Sequence, residues 1–221
     1  MIGTRMTTVL AIVFCCSPYA GAALTSGFET GDLTGWTATG PVDVVTEQYA
    51  RDFLGLTQPP SGDIWYPAQG NYFASLWSTD SAGTNAASLS VAFDAAAGDV
   101  LDFDYFFDYG DYAPYYDSAT GSLSWTGGST VLFQHNTSGH ELADDQNIGW
   151  TRVSYTLPAT GTYTLQFATQ DGLDSFESIL GIDSVAVGPA IPAPGAGALC
   201  IVGISLLGRF RRRRAARTRG A

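Results

Sequence analysis

The sequence predicts an all-β protein, a two-sheet antiparallel jelly-roll sandwich, flanked by an N-terminal signal peptide and a C-terminal transmembrane segment. Three observations point there. Between Leu24 and Pro189, short runs of alternating apolar and polar residues are separated by Gly, Pro, Asp and Asn. No sustained helical period interrupts them. The uninterrupted apolar stretches and nearly all the arginines lie at the two ends. A chain of 221 residues suits one medium domain plus processing segments, divided here as 1–22, 23–188 and 189–221.

The N-terminal segment carries one positive charge at Arg5, an apolar run from Val9 to Cys16 and a breaker at Pro18. The small residues Ala20 and Ala22 stand at the positions signal peptidase needs, which places cleavage between Ala22 and Ala23 and predicts export.

The body follows. Eight strands are expected: 42–46, 72–78, 88–94, 100–109, 129–135, 150–157, 162–170 and 179–188. Eight strands over some 150 residues fit a double-sheet jelly roll. Alternation is clearest where Leu101, Phe103, Tyr105, Phe107 and Tyr109 share one face, with Asp102, Asp104 and Asp108 on the other. The aromatic face is expected in the core and the acidic face toward solvent or a metal. Val153, Tyr155 and Leu157, then "LPATGTY", then Tyr163, Leu165 and Phe167 read as a β-hairpin. Trp36, Trp77 and Trp150 are expected in the core.

Charge excludes one class of partner. The chain has no lysine, and its 21 acidic residues all fall between Glu29 and Asp183, accompanied only by Arg51 and Arg152. So acidic a body repels nucleic acid and anionic lipid. The body also contains no cysteine, since Cys15, Cys16 and Cys200 lie in the terminal segments. Disulfides and thiolate zinc sites are therefore excluded from it.

Little in the body suggests catalysis. His135 and His140 stand in "HNTSGH", with Glu141 after them rather than between, so no HExxH motif exists. Both are expected in a surface loop. Neither GxSxG nor a phosphate-binding loop occurs. The expectation is a non-enzyme.

Aromatics in expected loops are more informative: Trp65 and Tyr66 in "GDIWYPAQG", and Tyr112, Tyr115 and Tyr116 in "DYGDYAPYYDSATG". Flat rings beside carboxylates and amides suit sugar faces and hydroxyls, which makes these five residues candidate glycan contacts. The competing reading closes the same rings over the sheet ends as extensions of the core. Asp108, Asp111 and Asp117, or Asp144, Asp145 and Asn147, could group around a cation, although neither set has EF-hand spacing and a solvated acidic loop accounts for both.

The C-terminal segment starts with Ile191, Pro192, Ala193 and Pro194, continues through uncharged residues 195–208, and ends in arginines including Arg209, Arg211, Arg212, Arg213 and Arg214. Counted from Ile191, the uncharged run is at the lower margin for crossing a hydrocarbon core roughly 30 Å thick. The arginines are expected to stay cytoplasmic. A Pro-x-Pro step, a short apolar span and a terminal Arg cluster resemble the PEP-CTERM sorting signal of Gram-negative bacteria. Ala193 stands where glutamate is usual, as in a Pro-Ala-Pro variant. That resemblance implies an exosortase-like processing enzyme as partner, an inner-membrane anchored precursor, and final placement at the cell surface or in the extracellular matrix.

The body, through "GFETGDLTGW", "GNYFASLWS", "LPATGTYTLQF" and "LGIDSVAV", resembles bacterial extracellular jelly rolls of the carbohydrate-binding-module and MAM-like kind. The resemblance implies a structural Ca2+ held by Glu29 and Asp183; the alternative is that both carboxylates only cap turns. The functional expectation is a non-catalytic exported surface or exopolysaccharide-matrix protein with an adhesive or structural domain. A carbohydrate-binding module with a defined glycan ligand and a glycan-active enzyme are the alternatives.

Overall fold

A computed structural model describes residues 24–50, 64–78, 86–109, 117–136, 147–172 and 177–190. The signal-peptide and sorting-tail assignments, and Tyr112, Tyr115, Tyr116, Asp111, His140, Glu141, Asp144 and Asp145, lie outside these residues. Among the described residues no helix is long and apolar enough to cross a membrane.

The described residues form thirteen strands: β1 (Thr25–Ser26), β2 (Thr37–Thr39), β3 (Val42–Val45), β4 (Gln48–Tyr49), β5 (Ile64–Trp65), β6 (Phe73–Trp77), β7 (Ala86–Ala95), β8 (Asp99–Asp108), β9 (Ser118–Trp125), β10 (Gly128–Asn136), β11 (Ile148–Thr156), β12 (Gly161–Gln170) and β13 (Ile179–Pro189). One sheet runs β11-β8-β13-β6-β3 with β1 also on β13; the second runs β10-β9-β12-β7-β2; β4 and β5 form a small ribbon. All pairings are antiparallel. From β6 onward the chain visits the sheets in the order of a jelly roll, so that β6, β8, β11 and β13 face β7, β9, β10 and β12.

Period-2 alternation builds the core. Leu101, Phe103, Tyr105, Phe107 and Tyr109 from β8 and its end meet Leu89, Val91 and Phe93 of β7 and Tyr163, Leu165 and Phe167 of β12, all buried. The eight strands expected from sequence are all present. Not expected were the short strands β1, β2, β4 and β5 and the longer β9, where "SATGSLSW" buries small residues and only Leu123 as a large apolar side chain. Gly121 is required there: a Cβ would sit 2.3 Å from the ring of Phe133, which lies across it.

Two expectations are corrected. The Leu157 to Tyr163 segment is not a hairpin. β11 pairs with β8 in one sheet and β12 with β7 and β9 in the other, so the connection is an arch crossing the sandwich. Tyr163 braces it, its hydroxyl donating to Ala159 O at 2.6 Å and accepting from Ala159 N at 3.0 Å. Period-2 patterns specify strands and faces; they do not specify which sheet the next strand joins.

The acidic face of β8 is not uniformly solvated either. Asp102 and Asp104 lie 3.6 and 3.7 Å from the Arg152 guanidinium near the surface. Beyond them Phe106 and Asp108 are fully buried, because the segment carrying β5 folds over this end of the sheet. Phe73, Phe106 and Ile179 form a second core with Trp65, Trp77 and Trp150 packed around it. Trp36 packs against the main core. The three tryptophans expected inside are thus half-buried packing partners.

Candidate functional site

Residues 64–72, "IWYPAQGNY", form a strap over the outer face of the larger sheet. Trp65 stacks on Phe106 at 4.4 Å between centroids and 9° between planes, and its indole N–H donates to Asp108 Oδ2 at 2.9 Å. Phe106 in turn lies across Gly181, where a Cβ would come within 2.0 Å of the ring. Trp150 meets Phe106 edge-on at 4.8 Å, and its indole donates to Tyr66 O at 2.8 Å. Tyr66 is thereby fixed at the surface with 56% of its area exposed.

The next residues of the strap hold two more carboxylates. Gln69 N donates to Asp183 Oδ2 at 2.8 Å. Asn71 N bonds both oxygens of Glu29 at 3.0 and 3.1 Å, joined by Asn71 Nδ2 and Tyr72 N at 3.2 and 3.3 Å. One nine-residue segment therefore satisfies acidic groups from β8, β13 and the turn after β1. The Asn71 main-chain amide keeps the Glu29 carboxyl below its usual range against the opposing effect of desolvation, with lesser help from the Asn71 side chain and Tyr72 N. Burial pushes Asp183 up to about 6, more strongly than its amide partners and in the same sense as the nearby Asp104 charge.

Backbone conformation sets this geometry. Phe28 and Ser184 adopt φ of 58° and 56°, an uncommon region for side-chain-bearing residues. Ser184 sits where the β13–β8 register shifts between Asp183 and Ala186, a bulge that keeps Asp183 on the outer face and returns Val185 to the core. Gly70, at φ 70°, has no room for a Cβ, which would lie 2.1 Å from Glu29 Oε1.

Glu29 and Asp183 do face one space, since a Cβ on Gly27 would be 3.8 Å from Glu29 Oε1 and 3.7 Å from Asp183 Oδ1. A cleft of about 240 Å3 opens beside them, lined by Glu29, Gln69 and Ser184 among others. The Ser184 hydroxyl is buried without a hydrogen-bond partner. Two carboxylates and an orphan hydroxyl are hard oxygen donors of the kind Ca2+ takes; Asp183 Oδ1 accepts one bond, from Ser184 N, and keeps a lone pair, whereas each Glu29 oxygen already accepts two bonds and would have to exchange one for the cation. The residues present fit calcium on donor chemistry. Among the described residues no group of three or more His, Cys, Asp or Glu is arranged around a metal, so main-chain carbonyls would have to complete the shell.

Other candidates fall elsewhere. Trp65 is not an open platform; it closes over Phe106 as an extension of the core. Asp108 is buried beneath it rather than in a solvated loop. Asp117, also fully buried, accepts from Ser78 Oγ at 3.0 Å and Gly172 N at 2.9 Å. Its carboxyl is pushed up to about 6, chiefly by burial, with the charge of Asp171 adding to the effect. His135 is not in a loop: it lies on β10, half-buried, 2.9 Å from the Tyr105 hydroxyl. Sequence reasoning missed the strap amides, because a backbone N–H leaves no mark on residue type; the Gly70-Asn71 pair was its only visible trace.

No protein-family model matches the chain, and no curated protein does. Among solved structures, its neighbours include carbohydrate-binding modules, adhesin domains and the enzymatically active domain of bacteriophage CBA120 tailspike protein 4. The module TmCBM61, solved with β-1,4-galactotriose, is 18% identical, with 74% of this chain and 94% of that one covered and a TM-score of 0.46. The K1 cleaved adhesin domain of Lys-gingipain from Porphyromonas gingivalis W83 is 16% identical, covering 77% and 100%, at 0.44. The C-terminal family 22 carbohydrate-binding module of Clostridium thermocellum Xyn10B is 14% identical, covering 77% and 95%, at 0.40. At this distance they say nothing about which residues of this chain meet a ligand.

Proposed function

We propose that this chain is a non-catalytic binding domain, exported and displayed at the cell surface or in the extracellular polysaccharide matrix, where the sandwich makes adhesive contact with glycan. One observation carries the glycan contact: Tyr66 is a large exposed ring on a strap pinned from below by Trp65 and Phe106 and from the side by the Trp150 indole. A backbone held in place before binding reduces the ordering cost of contact, and an exposed tyrosine ring offers a flat face to a sugar. Export and sorting are inferred from the N-terminal segment and from the Pro-Ala-Pro step, apolar run and arginines at 191–214. Signal peptidase and an exosortase-like enzyme are the processing partners proposed.

Calcium has a structural place in this reading. Glu29 and Asp183, with the Ser184 hydroxyl, would hold it, and it would neutralise two carboxylates where the first and last strands meet. Electrophoresis of the secreted protein through gels containing the host's extracellular polysaccharide tests the glycan contact. Retardation is expected for the native protein, with at least about tenfold weaker apparent affinity for Tyr66→Ala, in the range of an interface hot spot. Equal retardation of the two proteins would contradict the assignment of Tyr66.

A carbohydrate-binding module with one defined ligand is the narrower form of the same proposal, and the second cleft described next is what favours it.

A further inference from the structure

On the other side of residues 25–29 from the strap cleft, a larger cleft of about 420 Å3 opens against Trp36 and Val91. Its size falls within the roughly 300–1,000 Å3 of small-molecule sites. Trp36 is held in place on several sides. Its ring lies 5.5 Å from Phe28 and 6.2 Å from Phe167, its indole N–H donates to Ser26 Oγ at 3.1 Å, and its main-chain N–H donates to Leu33 O. The ring remains partly exposed where it lines the cleft.

Around this apolar wall stand hydroxyls and carboxylates. Asp32 Oδ1 accepts from Thr30 Oγ1 at 2.8 Å and Thr34 N at 3.0 Å, and the carboxylate stands exposed at the rim of the cleft. The Thr34 and Thr30 bonds also hold the Asp32 carboxyl below its usual range, so it stays an ionised acceptor. Glu29 closes the side shared with the strap cleft. An aromatic and aliphatic wall with a ring of acceptors and hydroxyls matches a sugar ring, apolar on its C–H face and hydroxyl-bearing at its edge. The ionised Asp32 carboxylate disfavours uronic-acid or sulfated sugars by like-charge repulsion.

We propose that the Trp36 cleft is a saccharide subsite for one or two neutral sugar residues, distinct from the Tyr66 surface. The proposal rests on the glycan-contact reading of the domain. Asp32 and Thr34 set its polarity and Trp36 supplies the stacking wall.

The test is a ¹H–¹⁵N NMR titration of the secreted mature protein with galactotriose, cellotetraose and, as the anionic comparison, trigalacturonate. The Trp36 indole N–H signal, assigned through Trp36→Phe, reports the cleft. At least one neutral oligosaccharide is expected to shift it saturably, with trigalacturonate inert. Thr34→Phe, which fills an exposed cleft position, should weaken that titration tenfold or more, and Asp32→Asn, which retains the turn acceptor, about threefold. Tyr66→Ala should leave the Trp36 shift in place. Neutral sugar binding that is lost in Tyr66→Ala but leaves the Trp36 signal unmoved would overturn the subsite and leave the glycan reading standing. No binding of any of the three sugars, together with no retardation by the host polysaccharide, would overturn both.

Discussion

At the scale of single residues, the molecule spends its few buried carboxylates unequally. Asp108 is held by an indole, Asp183 by strap amides, and Asp117 by Ser78 and Gly172 beside Asp171. Asp117 titrates at about 6 in the fold, raised by burial, against an ordinary value near 4. Its protonated form is therefore favoured by folding. That contribution to stability is fully present below pH 4 and is lost as pH rises through 6. In metal-free buffer the melting temperature should be higher at pH 5 than at pH 7.5, and Asp117→Asn should flatten the difference. Thermal scans across that interval check it; a native protein more stable at pH 7.5 than at pH 5 would contradict the assignment. Sequence gave no notice of this: Asp117 and Asp171 are far apart along the chain and meet only because β9 and β12 are neighbours.

Among elements, the strap is what joins the ends of the sandwich. It ties the Glu29 turn, β8 and β13 with amide and indole donors, and it presents Tyr66. Strap amides hold both carboxylates, and calcium at the proposed site would stabilise the same pair, so a cation should add most where both are ionised. Calcium is expected to raise the melting temperature at pH 7.5 in a concentration-dependent way, reversed by EGTA and absent in Asp183→Asn. A melting temperature indifferent to calcium and EGTA in the native protein would leave Glu29 and Asp183 as turn caps alone. Element identity was largely legible in the sequence, because aromatic and β-branched alternation survives in β7, β8, β12 and β13. β9 was hidden by its glycine and serines, and the arch at 157–161 was taken for a hairpin because its residues suit either connection. Of the candidate site, Tyr66 was legible by residue type, and Glu29 and Asp183 through the resemblance to extracellular jelly rolls. The Trp36 cleft was not, since it depends on rings packed from distant strands, whereas Trp65 follows the competing reading in which it closes over the sheet as an extension of the core.

Over the whole molecule, the distribution of charge explains how one chain could be both anchored and displayed. The 21 acidic residues fall between Glu29 and Asp183 in the sequence, and seven arginines follow the apolar run at 195–208. A span carrying that asymmetry orients with its arginines inside and the acidic domain outside. Mass spectrometry of surface-fraction protein should find an N-terminus at Ala23 and a C-terminus near Pro192, with the arginines removed; a terminus at Ala221 would mean a permanent anchor. The same acidity directs the domain toward uncharged partners, since an anionic polymer would meet repulsion over most of its surface.

The central claim, binding of glycan without turnover, is tested most directly by calorimetric titration of the mature protein with its host's extracellular polysaccharide. The account predicts a saturable heat that returns to baseline after each injection. A flat trace would remove the binding role, and a heat that continues at constant rate after each injection would show hydrolysis and make the domain an enzyme.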